Sequence, residues 1–317
     1  MDTDAGVDDA LAIVFAMRSP ELRVEAITTV SGNVHVDLVT ENVLRILDIL
    51  QPDRMPIVAK GEAVPLIRPP LAAPEVHGHD GLGGLHSLRD ETGALKYPRP
   101  ATSPVSTPAV ELLPRIADES PGEITLVAIG PLTNVAKAIV ADPERMRKYA
   151  QIVIMGGAFR VYGNTTVTSE FNIYVDPHAA QVVAESGIPL IFVPLDVTEQ
   201  VCLEMGHIVR EVHPLGTRLS QFLTDVTRGY IEFHIATQGF SGCYLHDPVA
   251  IGVAIDESFA RMQEGHVEIE TQGVLTMGMT VCDLRPNPVI PKPPNARICI
   301  EVDADRFFRF FLDRIKG

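Results

Sequence analysis

Hydrophobic and polar positions along this chain follow two periods, near 3.6 and near 2, and switch between them in short blocks. Residues 10–17 form an apolar, helix-compatible run. Residues 22–30 alternate and are rich in β-branched side chains, which predicts a strand closed by a turn at Ser31, Gly32 and Asn33. Val39, Val43, Leu44, Ile46, Leu47 and Leu50 recur at helical spacing, and residues 56–59 read as a short strand. Further on, the pattern predicts helices over 109–117, from 135 and over 177–186, and strands over 124–129, 151–155 and 190–195. Residues 201–237 read as mostly helical, with Leu219, Phe222, Leu223 and Val226 on one face. A short helix is expected over 249–254, antiparallel strands over 267–302 and a terminal helix over 304–315.

Strands and helices in alternation, joined by short connections, predict an α/β fold with an open, mainly parallel (mixed) sheet flanked by helices, a Rossmann-like arrangement. No internal repeat or dividing linker interrupts residues 1–317, so one domain is expected. Residues 61–106 are the exception to this regularity. They are rich in Pro and Gly and contain Val76-His77-Gly78-His79-Asp80-Gly81, which predicts a lid or binding loop.

The net charge of −15 argues against general affinity for nucleic acid or anionic membranes, since phosphate binding needs a basic surface. The absence of Trp removes the best platform for base stacking. Cys202, Cys243, Cys282 and Cys299 form no CxxC pair, so reduced thiols are expected rather than a zinc knuckle or a disulfide scaffold. Asp2 and Asp4 stand where a signal peptide needs basic residues, and no apolar run reaches the length of a membrane span. A soluble, cytoplasmic protein is the expectation.

The chemistry begins at the first residues. Asp2, Asp4, Asp8 and Asp9 fall within one stretch whose other members are small or apolar, directly ahead of the apolar run. Like charges beside a core helix repel unless something compensates them, and a divalent cation taking oxygen ligands is the simplest compensation. Helix capping accounts for one or two of these aspartates but not for all. His246-Asp247 offers a metal ligand and a general acid side by side, or a capping Asp ahead of Pro248; the two are compatible. Residues 162–177 bring Asn164, Glu170, Phe171 and Asn172 into one loop, donors and acceptors that suit a polyhydroxylated ligand such as a sugar. Several expected strands end in polar or glycine residues (Asn33, Gly130 to Asn134, and Gly156 with Gly157 after Met155), outlining one rim where α/β sheets bind ligands.

Taken in order, D-T-D-x-G-x-D-D-A at the start, T-T-V-x-G-N at 28–33, G-P-L-T-N at 130–134, I-M-G-G at 154–157, E-F-N-x-x-x-D-P at 170–177 and H-D-P at 246–248 resemble the inosine–uridine-preferring nucleoside hydrolases. The resemblance runs over about residues 2–255 and implies that family's fold and Ca²⁺-dependent cleavage of a ribonucleoside's N-glycosidic bond. It implies that Asp4, Asp9, Asp247 and the backbone carbonyl of Ile129 are Ca²⁺ ligands, with Asp4 also the base that activates water. Asp8, Asn33, Glu170 and Asn172 would grip the ribose hydroxyls, Asn164 the 5′ side, and Met155 and Phe171 would pack on the sugar. His246 would protonate the leaving base, His77 and Tyr230 would line its pocket, and Asp2 would stand behind the ligands. A homodimer or homotetramer is implied too.

Next to a divalent cation Asp4 is expected to have a depressed pKa, so the metal should contribute more than proton abstraction. Two departures from the pattern stand out. Only Met1 precedes Asp2, so either the start is misassigned or a shortened first strand suffices, and Ala5 stands where the family commonly has Pro. The rival readings are a Mg²⁺-dependent phosphatase of the haloacid-dehalogenase type, which Asp2-Thr3-Asp4 fits superficially, and a nucleoside- or ribose-binding protein without activity.

Overall fold

The computed structural model describes residues 1–316. Eight strands form the main sheet: β1 (Asp2–Thr3), β2 (Ala26–Thr29), β3 (Ile57–Lys60), β4 (Thr125–Ala128), β5 (Gln151–Met155), β6 (Leu190–Val193), β9 (Ala260–Gly265) and β12 (Ala296–Val302). The remaining four make two small antiparallel pairs: β7 (Cys202–Glu204) with β8 (Gly242–Tyr244), and β10 (Glu268–Ile269) with β11 (Thr280–Val281). The main sheet runs β3-β2-β1-β4-β5-β6-β12-β9 and is parallel throughout except for the β12–β9 edge pair. This is the open mixed sheet that the sequence pattern predicted.

Both faces of the sheet are covered, so its central strands are apolar on both sides. Val127, Val153 and Ile191 pack on one face with the helices Val7–Met17, His246–Ile255 and Ala304–Lys316. Leu126, Ile152 and Leu190 pack on the other with Ala109–Glu119, Thr133–Ala141 and Pro177–Ala184. One residue's shift in register exchanges the two sets, as the period of a strand requires.

β1 is short, as expected, but it is central. Asp2 pairs with Thr28 of β2 on one side and Ala128 of β4 on the other. Asn134 reinforces it, donating to Asp2 Oδ1 (2.8 Å) and to the Thr29 carbonyl (2.9 Å) while its own Oδ1 accepts from Glu62 N–H (2.8 Å).

Several expectations are corrected. The strand at 22–30 shrinks to Ala26–Thr29. The stretch 201–237 is mostly helical, as expected, but β7 opens it, and short α, π and 3-10 turns over residues 205–215 precede the long helix Arg218–Gln238. In the tail, β12 is antiparallel to β9 but parallel to β6, a role that alternation alone cannot specify. Residues 61–106 are irregular but packed: Leu82 and Leu85 are buried, and Asp80 accepts from the N–H groups of Leu82, Gly84 and His86. Lys96 and Tyr97 further anchor the segment to Asp225 at 2.6 and 2.9 Å.

The terminal helix locks onto the first through rings: Phe307 and Phe311 lie edge-on to Phe15, with centroids 6.0 and 5.3 Å away. Gly252 makes this possible, since a Cβ there would sit 2.3 Å from the Phe307 ring. Phe307→Ala is expected to cost about 3–5 kcal/mol and Gly252→Ala about 1–3 kcal/mol by overpacking. In the double variant the added methyl has room, so its cost should fall below the sum of the single variants. Urea unfolding midpoints measure all three, and strict additivity would show that the ring and the glycine do not oppose each other.

Candidate active site

The strand order reverses between β1 and β4, and ligands bind in open α/β sheets outside the carboxyl ends of strands at such a switch point. A cavity of about 340 Å³ lies there. Asp4 enters it from just past β1, Asn33 from the turn after β2, Ile129 from the end of β4 and Met155 from the end of β5. Two glycines let these turns converge on Asp4: a Cβ at Gly32 or Gly130 would come within 2.1 or 2.8 Å of its carboxylate.

The floor of the cavity is acidic and buried. Asp8, Asp9 and Asp247 each offer a carboxylate oxygen lying within 4.8 Å of the others, and Asp4 contacts Asp9. Asp9 is held from every side: it accepts from Thr3 Oγ1, from Gly6 N–H (2.8 Å) and from Asn33 Nδ2 (3.2 Å). Because Gly6 caps the helix Val7–Met17, Asp9 reaches back to the cap as an N3 acid does, so one of the four aspartates is partly a capping residue. Asp4 accepts from Asn33 N–H through Oδ2 (2.8 Å), whereas its buried Oδ1 has no hydrogen-bond partner among the described residues. Asp2 stands apart, held by Thr28 (2.5 Å) and Asn134 (2.8 Å), and does not reach the cavity.

Burial pushes all four cavity carboxyls upward, and neighbouring carboxylates add to it for Asp4, Asp8 and Asp247. Asp8 rises to about 8. The protein's own groups therefore drive Asp4 above its ordinary range, and the depression expected of it applies only with a cation alongside. Ionised together, these oxygens need positive charge among them. An all-oxygen donor set with a buried, unpartnered Asp4 Oδ1 fits a hard cation such as Ca²⁺.

Two walls rise from this floor. On one, Glu170 caps the short helix Phe171–Val175, accepting from Asn172 N–H (2.8 Å), Ile173 N–H (3.1 Å) and Gly157 N–H (3.1 Å). Asn172 Nδ2 donates to the carbonyls of Ile129 (3.1 Å) and Met155 (3.2 Å), and Asn164 Oδ1 accepts from Phe171 N–H (2.9 Å). The other wall is aromatic. His77 stacks on Tyr230 (centroids 5.3 Å apart, 29° between planes) and accepts from Val7 N–H through Nδ1 (3.1 Å). Burial, with the charge of nearby histidines, pushes both His77 and His246 down to about 3, so each ring is neutral.

Every residue that the resemblance assigned to the site lines this one cavity, including His77, delivered by the irregular segment through its short helix Pro74–His77. Asp247 is not a helix cap: the helix begins at His246, Leu245 is the cap, and Asp247 lies in the first turn. Sequence reasoning missed Glu199, Phe233, His234, Gln238 and Tyr244 on the aromatic wall. For His234 the signal was present, four residues after Tyr230 on one helix; for Glu199, only the tertiary fold brings it in.

Comparison with known proteins agrees with this geometry. The sequence profile of the inosine-uridine preferring nucleoside hydrolases matches residues 1–309. A pyrimidine-specific ribonucleoside hydrolase, RihA, of Salmonella arizonae is 41% identical over 317 residues, covering 100% of this chain and 97% of the relative. Among solved structures, a purine-preferring ribonucleoside hydrolase from Gardnerella vaginalis is 31% identical with a TM-score of 0.90, covering 100% of this chain and 97% of the other. A plant nucleoside hydrolase is 32% identical with a TM-score of 0.87, covering 100% and 98%. The chain therefore belongs to the inosine-uridine preferring nucleoside hydrolase family, and the protein is a nucleoside hydrolase.

Proposed function

We propose that this enzyme hydrolyses pyrimidine ribonucleosides, uridine and cytidine, with a calcium ion held by Asp4, Asp9, Asp247 and the Ile129 carbonyl. The observation that carries the metal site is the buried, unpartnered Asp4 Oδ1 beside the gathered carboxylates. The pyrimidine preference takes its support from the relative at 41% identity. A purine preference is the second reading, favoured by the structural neighbour from Gardnerella vaginalis. Family membership removes the phosphatase, and ribose release from a nucleoside separates the enzyme from an inactive binding protein. A homodimer or homotetramer extends the reading on the family resemblance alone, and a cytoplasmic location on the sequence pattern alone.

Bound at this site, calcium supplies positive charge that makes water a stronger acid and offsets the crowded carboxylates. The chain's own groups divide the remaining work. Asp4 takes the proton from water as its oxygen bonds to C1′ of the ribose. The C1′–N bond breaks, its electron pair leaves with the base, and His246 gives its ring N–H proton to that base and regains one from solvent, to which Asp4 returns the proton it took from water. The sugar passes through an oxocarbenium-like state, which nearby carboxylates stabilise. Asp8, Asn33, Glu170 and Asn172 hold the ribose hydroxyls and Asn164 the 5′ side, while Met155 and Phe171 pack against the ring. Glu170 retains acceptor capacity for this, since a carboxylate accepts more than the three backbone bonds it receives. His77 and Tyr230 flank the base.

The substitution Asp9→Ala should nearly abolish turnover and, in isothermal titration of the metal-depleted protein, calcium binding as well. Undiminished activity would sink this site. His246→Ala should lower kcat by about 10²–10⁴-fold with calcium affinity intact. If calcium binding fell along with kcat, His246 would be supporting the metal rather than the leaving base. A panel of uridine, cytidine, inosine and adenosine should give the higher kcat/KM for the two pyrimidines, and the reverse order would establish the purine reading.

A further inference from the structure

Thr198 ends the short helix Leu195–Thr198 that follows β6, and its backbone N–H donates to the Pro194 carbonyl (3.1 Å). Its side chain is completely buried. Among the described residues its hydroxyl has one hydrogen-bond partner, Nδ1 of His246, at 2.8 Å. The two residues lie 48 positions apart and meet only because the helix after β6 packs beside the helix that begins at His246.

Either partner can donate in this contact, but the buried hydroxyl meets no other acceptor among the described residues, so its one proton is satisfied only by donating to Nδ1. A ring that receives a proton at Nδ1 carries its own at Nε2. Nε2 has no protein partner among the described residues, and the ring borders the cavity. The β-branched side chain of Thr198 is stiff at χ1, so its hydroxyl is aimed rather than searching. Tyr244 packs the ring from another side, with centroids 5.5 Å apart at 47°, but offers His246 no hydrogen bond among the described residues.

We infer that Thr198 is a positioning residue for the reaction: its hydroxyl fixes both the tautomer and the orientation of His246, so that the Nε2–H faces the leaving base. This inference rests on the proposed role of His246 and adds to it the group on which that role depends. A histidine left free to take the other tautomer presents a bare nitrogen to a base that is gaining electrons. Thr198 would then influence bond cleavage while touching neither substrate nor metal.

The test compares Thr198→Val, which keeps the shape without the hydroxyl, and Thr198→Ser, which keeps the hydroxyl, on two substrates. Uridine needs help at its leaving group; 4-nitrophenyl riboside, whose leaving group is a stable phenolate, does not. Thr198→Val should lose about 10–100-fold in kcat on uridine, the scale typical of groups that orient a functional histidine, with KM little changed. On 4-nitrophenyl riboside it should stay near the parent rate, and Thr198→Ser should recover most of the uridine activity. Equal losses on both substrates, or full uridine activity in Thr198→Val, would overturn the proposal. His246→Ala is run alongside. If it leaves uridine turnover intact, the role of His246 fails first; if it lowers turnover while Thr198→Val does not, only the role of Thr198 fails.

Discussion

Four carboxyl groups held together out of water set the terms for everything else in this molecule. Asp4, Asp8, Asp9 and Asp247 are buried side by side, and the protein alone offers them only hydrogen bonds. Thr3, Gly6 and Asn33 supply those bonds, yet burial and mutual repulsion still drive the carboxyls toward protonation. Such an arrangement costs folding free energy that a large two-sided core must offset. Its persistence makes sense when a cation completes it, and that is why the calcium proposal stands at the centre of the account.

The sheet topology explains how the cluster is assembled. β1 lies in the interior of the sheet with neighbours on both sides and Asn134 sewn across it. The reversal of strand order beside it opens the crevice that the cavity occupies. Distant segments then close the site. The helix after β8 brings His246 and Asp247, the capped helix Phe171–Val175 brings the amide wall, and the long helix Arg218–Gln238 brings Tyr230 and His234. Each wall has its own chemistry, one lined by amides and Glu170 and the other aromatic.

Much of this was legible in the sequence because it was written in local patterns. The strand and helix blocks up to residue 195 were readable from periodicity, and the motif residues from Asp4 to Asp247 converge on one cavity as their order implied. What could not be read depended on partners far apart in the chain. β7 pairs with β8 across a long helical excursion, so Cys202–Glu204 carries no strand signal of its own. β12 joins a parallel neighbour on one side and an antiparallel one on the other, a choice made by topology rather than by alternation. The contact between Thr198 and His246 belongs to the same class: neither residue announces it, and only the packing of two helices creates it.

The central claim concerns where the positive charge sits. Crystals of the metal-depleted protein, soaked in calcium and measured for anomalous scattering, would answer it directly. The account predicts a single peak per chain among the carboxylates of Asp4, Asp9 and Asp247 and the Ile129 carbonyl. A peak elsewhere, or none at this site in crystals whose dissolved protein is active, would contradict it.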